Sequence, residues 1–152
     1  MDLKQLPEDF YEFLKSLQKY HIDYLLVGGW AMGVYAEPRF TGDIDFLVRV
    51  SPDSLFALQN ALHDFGAPPI EEESFSILGN AYCIGRRPLR IEILNQISGV
   101  EFSEAWSRRN TVTVNDLQVH VISRADLIRN KRAAGRAKDF ADLESLGESP
   151  QK

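Results

Sequence analysis

Apolar side chains recur at helical spacing at Phe10, Phe13, Leu14 and Leu17, just after Pro7, so the pattern opens with an amphipathic helix. The period then changes. Ile22-Asp23-Tyr24-Leu25-Leu26-Val27 is a short apolar run ending at Gly28-Gly29, and it reads as a buried strand. Residues 30–37 fit a short helix stopped before Pro38, because the residue preceding a proline is pushed out of the helical region. Asp43-Ile44-Asp45-Phe46-Leu47-Val48 reads as a second strand, alternating at first and fully buried at its far end. Ser51-Pro52-Asp53 opens the next helix, with Leu55, Leu58 and Leu62 on one face and Gly66 at its end.

Beyond Pro68-Pro69 the pattern is strand-like at residues 75–78, 81–84 and 89–94. Residues 111–114 and 117–122 make a hairpin around Asn115-Asp116. Ser123, with Asp126 three residues on, predicts a capping box for a helix running to about Ala134. Gly135 separates it from a last helix whose buried face carries Phe140, Leu143 and Leu146. From Gly147 the chain is expected to fray. Helices interleave with strands and the strands end in a hairpin, which predicts an α+β, α/β-like domain: a mixed β-sheet covered by helices. One domain over 1–146 and a tail over 147–152 are expected.

Composition narrows the classes. At 152 residues the chain suffices for one well-buried core and is short for two ordinary domains. With 44% apolar and 26% charged residues, extended disorder is disfavoured. A formal net charge of −5 disfavours non-specific coating of nucleic acid, because each phosphate contact needs a local cation. The single cysteine, Cys83, excludes an internal disulfide and a thiol cluster for zinc. Met1-Asp2-Leu3-Lys4-Gln5 lacks the apolar core of a signal peptide, and the near-apolar run over 24–36 is too short to span a bilayer. A cytoplasmic protein with no membrane partner is the expectation.

The residues that suggest chemistry are Gly28-Gly29 and Asp43-Ile44-Asp45. A strand ending in two glycines and turning into a helix lets backbone approach a phosphate, and the free N–H groups of the helix start favour an anion. Asp43 and Asp45 lie two apart on a strand, so both carboxylates share one face while Ile44 and Phe46 point into the core. Two such carboxylates repel unless a cation sits between them. Mg²⁺ suits that geometry, since it takes one or two carboxylates and completes its shell with water and phosphate oxygens. Glu92, in Arg90-Ile91-Glu92-Ile93-Leu94, completes a three-carboxylate site if its strand lies beside that of Asp43 and Asp45. The alternatives are that the aspartates face solvent on an edge strand, and that Glu92 pairs with Arg90 across the pleat or faces solvent.

Taken together, apolar-Gly-Gly, a helix, Asp-x-Asp between apolar residues and a third acidic strand residue resemble the signature of the nucleotidyltransferase superfamily. Within it, Gly-Gly-x-Ala with Arg39-x-Thr41-x-Asp43-Ile44-Asp45 is similar to minimal nucleotidyltransferases and AbiE-type nucleotidyltransferase toxins. Leu127-Ile128-x-x-Lys131 and Arg136-x-Lys138-Asp139-x-x-Asp142-Leu143 extend the likeness, which spans about 23–146. The resemblance implies a nucleotidyltransferase fold and transfer of a nucleoside monophosphate from an NTP to a hydroxyl on a protein, an RNA end or a small molecule. It implies Asp43, Asp45 and Glu92 as catalytic metal ligands for Mg²⁺ or Mn²⁺. Gly28, Gly29, Thr41, Lys131 and Lys138 would lie on the nucleotide side, with Lys131 neutralising the leaving pyrophosphate. A cognate toxin or antitoxin partner is a further implication. Two positions depart from the pattern: Gly29 stands where many active members carry serine, and Glu92 where aspartate is commoner. They support a rival reading, a catalytically weak nucleotide-binding or antitoxin-like module of the same fold.

Several residues have plainer readings. The six Lys and Arg between Arg124 and Asp139 read as a solvated helix face unless Lys131 or Lys138 reaches phosphate. Trp30 is expected in the core, and His21, His63 and His120 on the surface.

Overall fold

The computed structural model describes residues 2–149. After a short 3₁₀ turn at Leu3–Gln5, α1 (Glu8–Lys19) buries Phe10, Phe13, Leu14 and Leu17, the stripe its spacing predicts. Strand β1 (Tyr24–Val27) follows, buried along its whole length, and turns at once into α2 (Gly28–Tyr35). Strand β2 (Asp43–Val48) alternates over its first half and is buried at its far end, as its sequence requires. Helix α3 (Pro52–Phe65) starts with Pro52 behind a Ser51–Ser54 capping box and stops at Gly66, which takes the left-handed conformation that glycine tolerates. Then come α4 (Glu72–Phe75), β3 (Ala81–Ile84), β4 (Arg90–Leu94), α5 (Phe102–Ser107), β5 (Asn110–Val114), β6 (Leu117–Val121), α6 (Arg124–Ala134) and α7 (Ala137–Ser145).

The six strands form one sheet in the order β3-β4-β2-β1-β6-β5. Pairs β1/β6 and β2/β4 are parallel, while β1/β2, β3/β4 and β5/β6 are antiparallel, so the sheet is mixed as expected. Helices α1 and α3 pack together over the face that carries Tyr24 and Phe46. Phe13 meets Phe46 at 5.5 Å and Phe65 at 5.1 Å between ring centroids. The opposite face carries Asp43, Asp45 and Glu92. Trp30 is 1% exposed and meets Phe10 edge-on, so it belongs to the core. No helix among the described residues is long and apolar enough to cross a membrane.

Five local expectations are corrected. Residues 75–78 are not a strand: Phe75 ends α4, and Ile77 and Leu78 lie exposed in a turn. The Asn95 side chain pins that turn by donating to the carbonyls of Phe75 and Ile77 and accepting from the Gly79 N–H, so the backbone groups a strand would need are already used. Helix α5 was not anticipated, although Glu101 caps its first turn by accepting from the N–H groups of Ser103 and Glu104. At Ser123 only half of the capping box forms. Its hydroxyl accepts from the Asp126 N–H, but the Asp126 carboxylate is taken by Arg108 and Arg129. Phe140 is 37% exposed, because the inward face of α7 is given to Asp139, Asp142 and Leu143. His120 is half-buried between the rings of Tyr24 and Trp106, whereas His21 and His63 are exposed.

At the C-terminal end, Glu148 pairs with Arg124 and Arg132. The remainder of the segment expected to fray, 150–152, lies outside the described residues.

Candidate active site

The site begins where β1 ends. Gly28 sits at φ +71°, and a Cβ placed there would lie 2.2 Å from Oδ2 of Asp45. Backbone and carboxylate thus approach to a distance that only glycine allows. Gly28→Ala is expected to cost about 2–5 kcal/mol, the sum of a left-handed backbone penalty and a forced contact, and to be measured as a lower denaturation midpoint. At Gly29 a Cβ would lie 2.8 Å from Cβ and 2.9 Å from Oγ1 of Thr41. Serine at 29 therefore has no room while Thr41 stands there, and the hydroxyl bordering the glycine turn belongs to Thr41. That hydroxyl donates to the Asp43 carbonyl at 3.1 Å.

The parallel register of β2 and β4 places Asp43 beside Arg90 and Asp45 beside Glu92. Carboxylate oxygens of Asp43, Asp45 and Glu92 lie within 4.8 Å of one another, on the sheet face that looks toward the glycine turn. Burial pushes the Asp45 carboxyl up to about 8, helped by its hydrogen bond to Glu92 and by the charges of Glu92 and Asp43, while Lys131 opposes the rise. Asp43 behaves in the opposite way. Burial would raise it, but hydrogen bonds from Arg90 and Arg87 outweigh that and hold it below the usual carboxylate range. Arg90 Nε donates to Oδ1 at 2.7 Å and Nη2 to Oδ2 at 3.2 Å. Arg87 donates to the same two oxygens at 3.2–3.4 Å. Arg90 thus pairs with Asp43 rather than with Glu92.

The carboxylates lie in a cleft of about 550 Å³, lined also by Gly28, Gly29, Thr41, Lys131 and Lys138, so all the candidate residues converge on one space. Lys131 reaches it from inside the protein. Its side chain is 4% exposed, and its ammonium lies 2.9 Å from Asp142 and 3.5 Å from Asp139. Arg39 grips Asp142 with two bonds of 2.7 and 2.9 Å, and Arg136 holds Asp139 at 2.7 Å. Burial would raise both aspartates, but these cations keep them below their usual range. The network ties the segment before β2 to α6 and α7. Lys138 is exposed on the rim and forms no ion pair among the described residues.

The sequence did not single out Arg87 and Arg90 as cleft residues. A signal existed for Arg90, which lies two residues before Glu92 on a strand and so shares its face. None marked Arg87, because a loop has no period from which to read a direction.

A mixed sheet with a glycine turn and three strand carboxylates on one cleft accompanies a nucleotidyltransferase fold. The chain belongs to the family described as "Nucleotidyltransferase of unknown function (DUF6036)", whose model matches residues 1–147. Among solved structures it is similar to an antigenic nucleotidyltransferase-like protein from Paracoccidioides brasiliensis. That likeness has a TM-score of 0.57 and 16% identity, over 95% of this chain and 73% of that one. At that identity it bears on the fold alone. No curated protein matches the chain.

Proposed function

We propose that the protein is a metal-dependent nucleotidyltransferase, moving a nucleoside monophosphate from an NTP to a hydroxyl acceptor. The observation that carries this reading is the meeting of Asp43, Asp45 and Glu92 within 4.8 Å, in one cleft with a glycine turn. The donor set fits a hard divalent cation, since it offers carboxylate oxygen alone, and the raised Asp45 carboxyl marks a repulsion that a cation would relieve. Asp43, Asp45 and Glu92 would hold Mg²⁺ or Mn²⁺. When bound, such ions acidify the acceptor hydroxyl and offset charge on the leaving pyrophosphate.

The chain's own residues supply the rest. Gly28 and Gly29 would bring the triphosphate to the start of α2, whose first N–H groups have no partner within the helix. Thr41 offers its hydroxyl beside that turn, and Lys138 with Lys131 adds positive charge on the α6–α7 flank. In the transfer, the acceptor oxygen bonds to the α-phosphorus and the bridging bond to the β-phosphate breaks. Pyrophosphate leaves with the electron pair, and Glu92 would take the acceptor proton. Gly29 leaves room for the Thr41 side chain, whose hydroxyl borders the turn.

Nucleotide binding gives the first test. At an NTP concentration about 100-fold above Kd, with Mn²⁺ or Mg²⁺, the folded state gains about 2.7 kcal/mol. In a chain of this size that raises Tm by about 5–10 °C. If none of the four NTPs moves the transition with either metal, the proposal fails.

A further inference from the structure

Five of the cations around the cleft fall into two groups by their ion-pair partners. On the α6–α7 flank, Lys131, Arg136 and Arg39 share Asp139 and Asp142, carboxylates outside the three-carboxylate group. On the β4 flank, the ion pairs of Arg87 and Arg90 both go to Asp43, itself a member of the three-carboxylate group. A carboxylate offers about four lone-pair sites, and two guanidinium forks fill the side of Asp43 that they share.

The two arginines are not equally held. Arg90 is on the strand paired in register with Asp43, bonds at 2.7 Å and is 29% exposed. Arg87 is on the loop before β4, bonds at 3.2–3.4 Å and is 66% exposed. A cation on Asp43 would loosen Arg87 first. The stem of Arg87 would stay at the cleft, because it lies on Gly42, where a Cβ would come within 2.8 Å of its Cγ and Cδ. The loaded site would then present a planar fork of donors beside Glu92, with its former partner engaged elsewhere. Such a fork matches a phosphate, which accepts two parallel bonds from it.

We propose that the acceptor hydroxyl belongs to a phosphate-bearing molecule whose phosphate is held by Arg87 on the β4 flank. This rests on the nucleotidyl-transfer reading above and adds the chemical class of the acceptor. The phosphate belongs either to a polynucleotide strand end or to a small phosphorylated hydroxyl compound.

The experiment uses the whole chain with Mn²⁺ and a non-hydrolysable analogue of the NTP that gives the largest Tm shift. A fluorescein-labelled single-stranded RNA dodecamer with a free 3′ hydroxyl and ribose 5-phosphate serve as separate probes, followed by anisotropy and calorimetry. One of the two is expected to bind, and which one identifies the source of the phosphate. Arg87→Ala should weaken that probe about 10-fold or more, the scale of a lost hydrogen bond to a charged group, without weakening the nucleotide analogue. Arg87→Lys, which keeps the charge and loses the fork, should recover part of the loss. If the analogue binds and neither probe does, or if Arg87→Ala leaves the probe's affinity unchanged, the proposal is overturned while nucleotidyl transfer stands. If the wild type does not bind the analogue, both fall together.

Discussion

Replacing Glu92 with glutamine is expected to lower nucleotidyl transfer by about 100-fold or more, the loss that follows when a general base or its metal is removed. NTP affinity should change by only a few-fold. The side chain keeps its shape and its place opposite Asp45 in the β2/β4 register, so the sheet is not asked to rearrange. Asp43, Asp45 and the glycine turn suffice to hold a nucleotide. The chemical step asks for more, because the acceptor oxygen must be placed in line with the bond that breaks and must lose its proton. Parallel measurements of NTP affinity and transfer rate in the wild type and Glu92→Gln separate these two demands. An active wild type whose rate is untouched by the substitution would put Glu92 outside the chemistry. A wild type that binds NTP but transfers to nothing in cell extract would favour the non-catalytic module.

Asp45→Asn should abolish the metal-dependent part of the nucleotide-induced Tm shift while making the metal-free protein more stable at neutral pH. The sign follows from the direction of its displacement. Burial and the neighbouring carboxylates raise Asp45 from an ordinary 3.8 to about 8. A group raised on folding contributes stability that is complete below its unfolded value and is lost as pH climbs toward its folded one. Asparagine has no proton to lose. The stability of Asp45→Asn over wild type should therefore be near zero at pH 4, grow through neutrality and level off above pH 8. Each kcal/mol relieved raises Tm by about 2–4 °C in a chain of this size. Asp43, held below its usual range by Arg90 and Arg87, acts in the opposite sense, and its contribution is lost only as pH falls below the ordinary carboxylate range. The two windows do not overlap, so melting curves from pH 4 to 9 isolate Asp45. A difference between variant and wild type that is flat across that range would show that Asp45 ionises normally. A metal-dependent shift retained in Asp45→Asn would remove it from the metal site.

Much of the architecture is legible in the sequence, because it depends on neighbours in the chain. The stripe Phe10, Phe13, Leu14 and Leu17 needs only a 3.6-residue period to become the buried side of α1. The alternation at Asp43-Ile44-Asp45-Phe46 needs only the two-residue repeat of a strand to put both carboxylates on one side and Ile44 and Phe46 in the core. Where local signals compete, sequence patterns misled. Residues 75–78 look like a strand, yet a side chain twenty positions later in the chain, Asn95, takes their backbone groups. The inward face of α7 reads as apolar through Phe140, yet it carries two buried aspartates, because Lys131 and Arg39 come from other elements to meet them.

By itself, the sequence determined which residues share a face: Asp43 with Asp45, and Arg90 with Glu92, since that follows from backbone geometry at each strand alone. Only the tertiary structure decided which of these meet. The parallel register of β2 and β4 sets Asp45 against Glu92 and Asp43 against Arg90, and a slip of one residue would have turned Glu92 to the core. That register is chosen by the packing of Ile44, Phe46, Ile91 and Ile93 on the far side of the sheet, where burial favours one alignment. The same non-local packing folds Lys131 inward against Asp139 and Asp142 and leaves Arg87 lying over Gly42 at the mouth of the cleft.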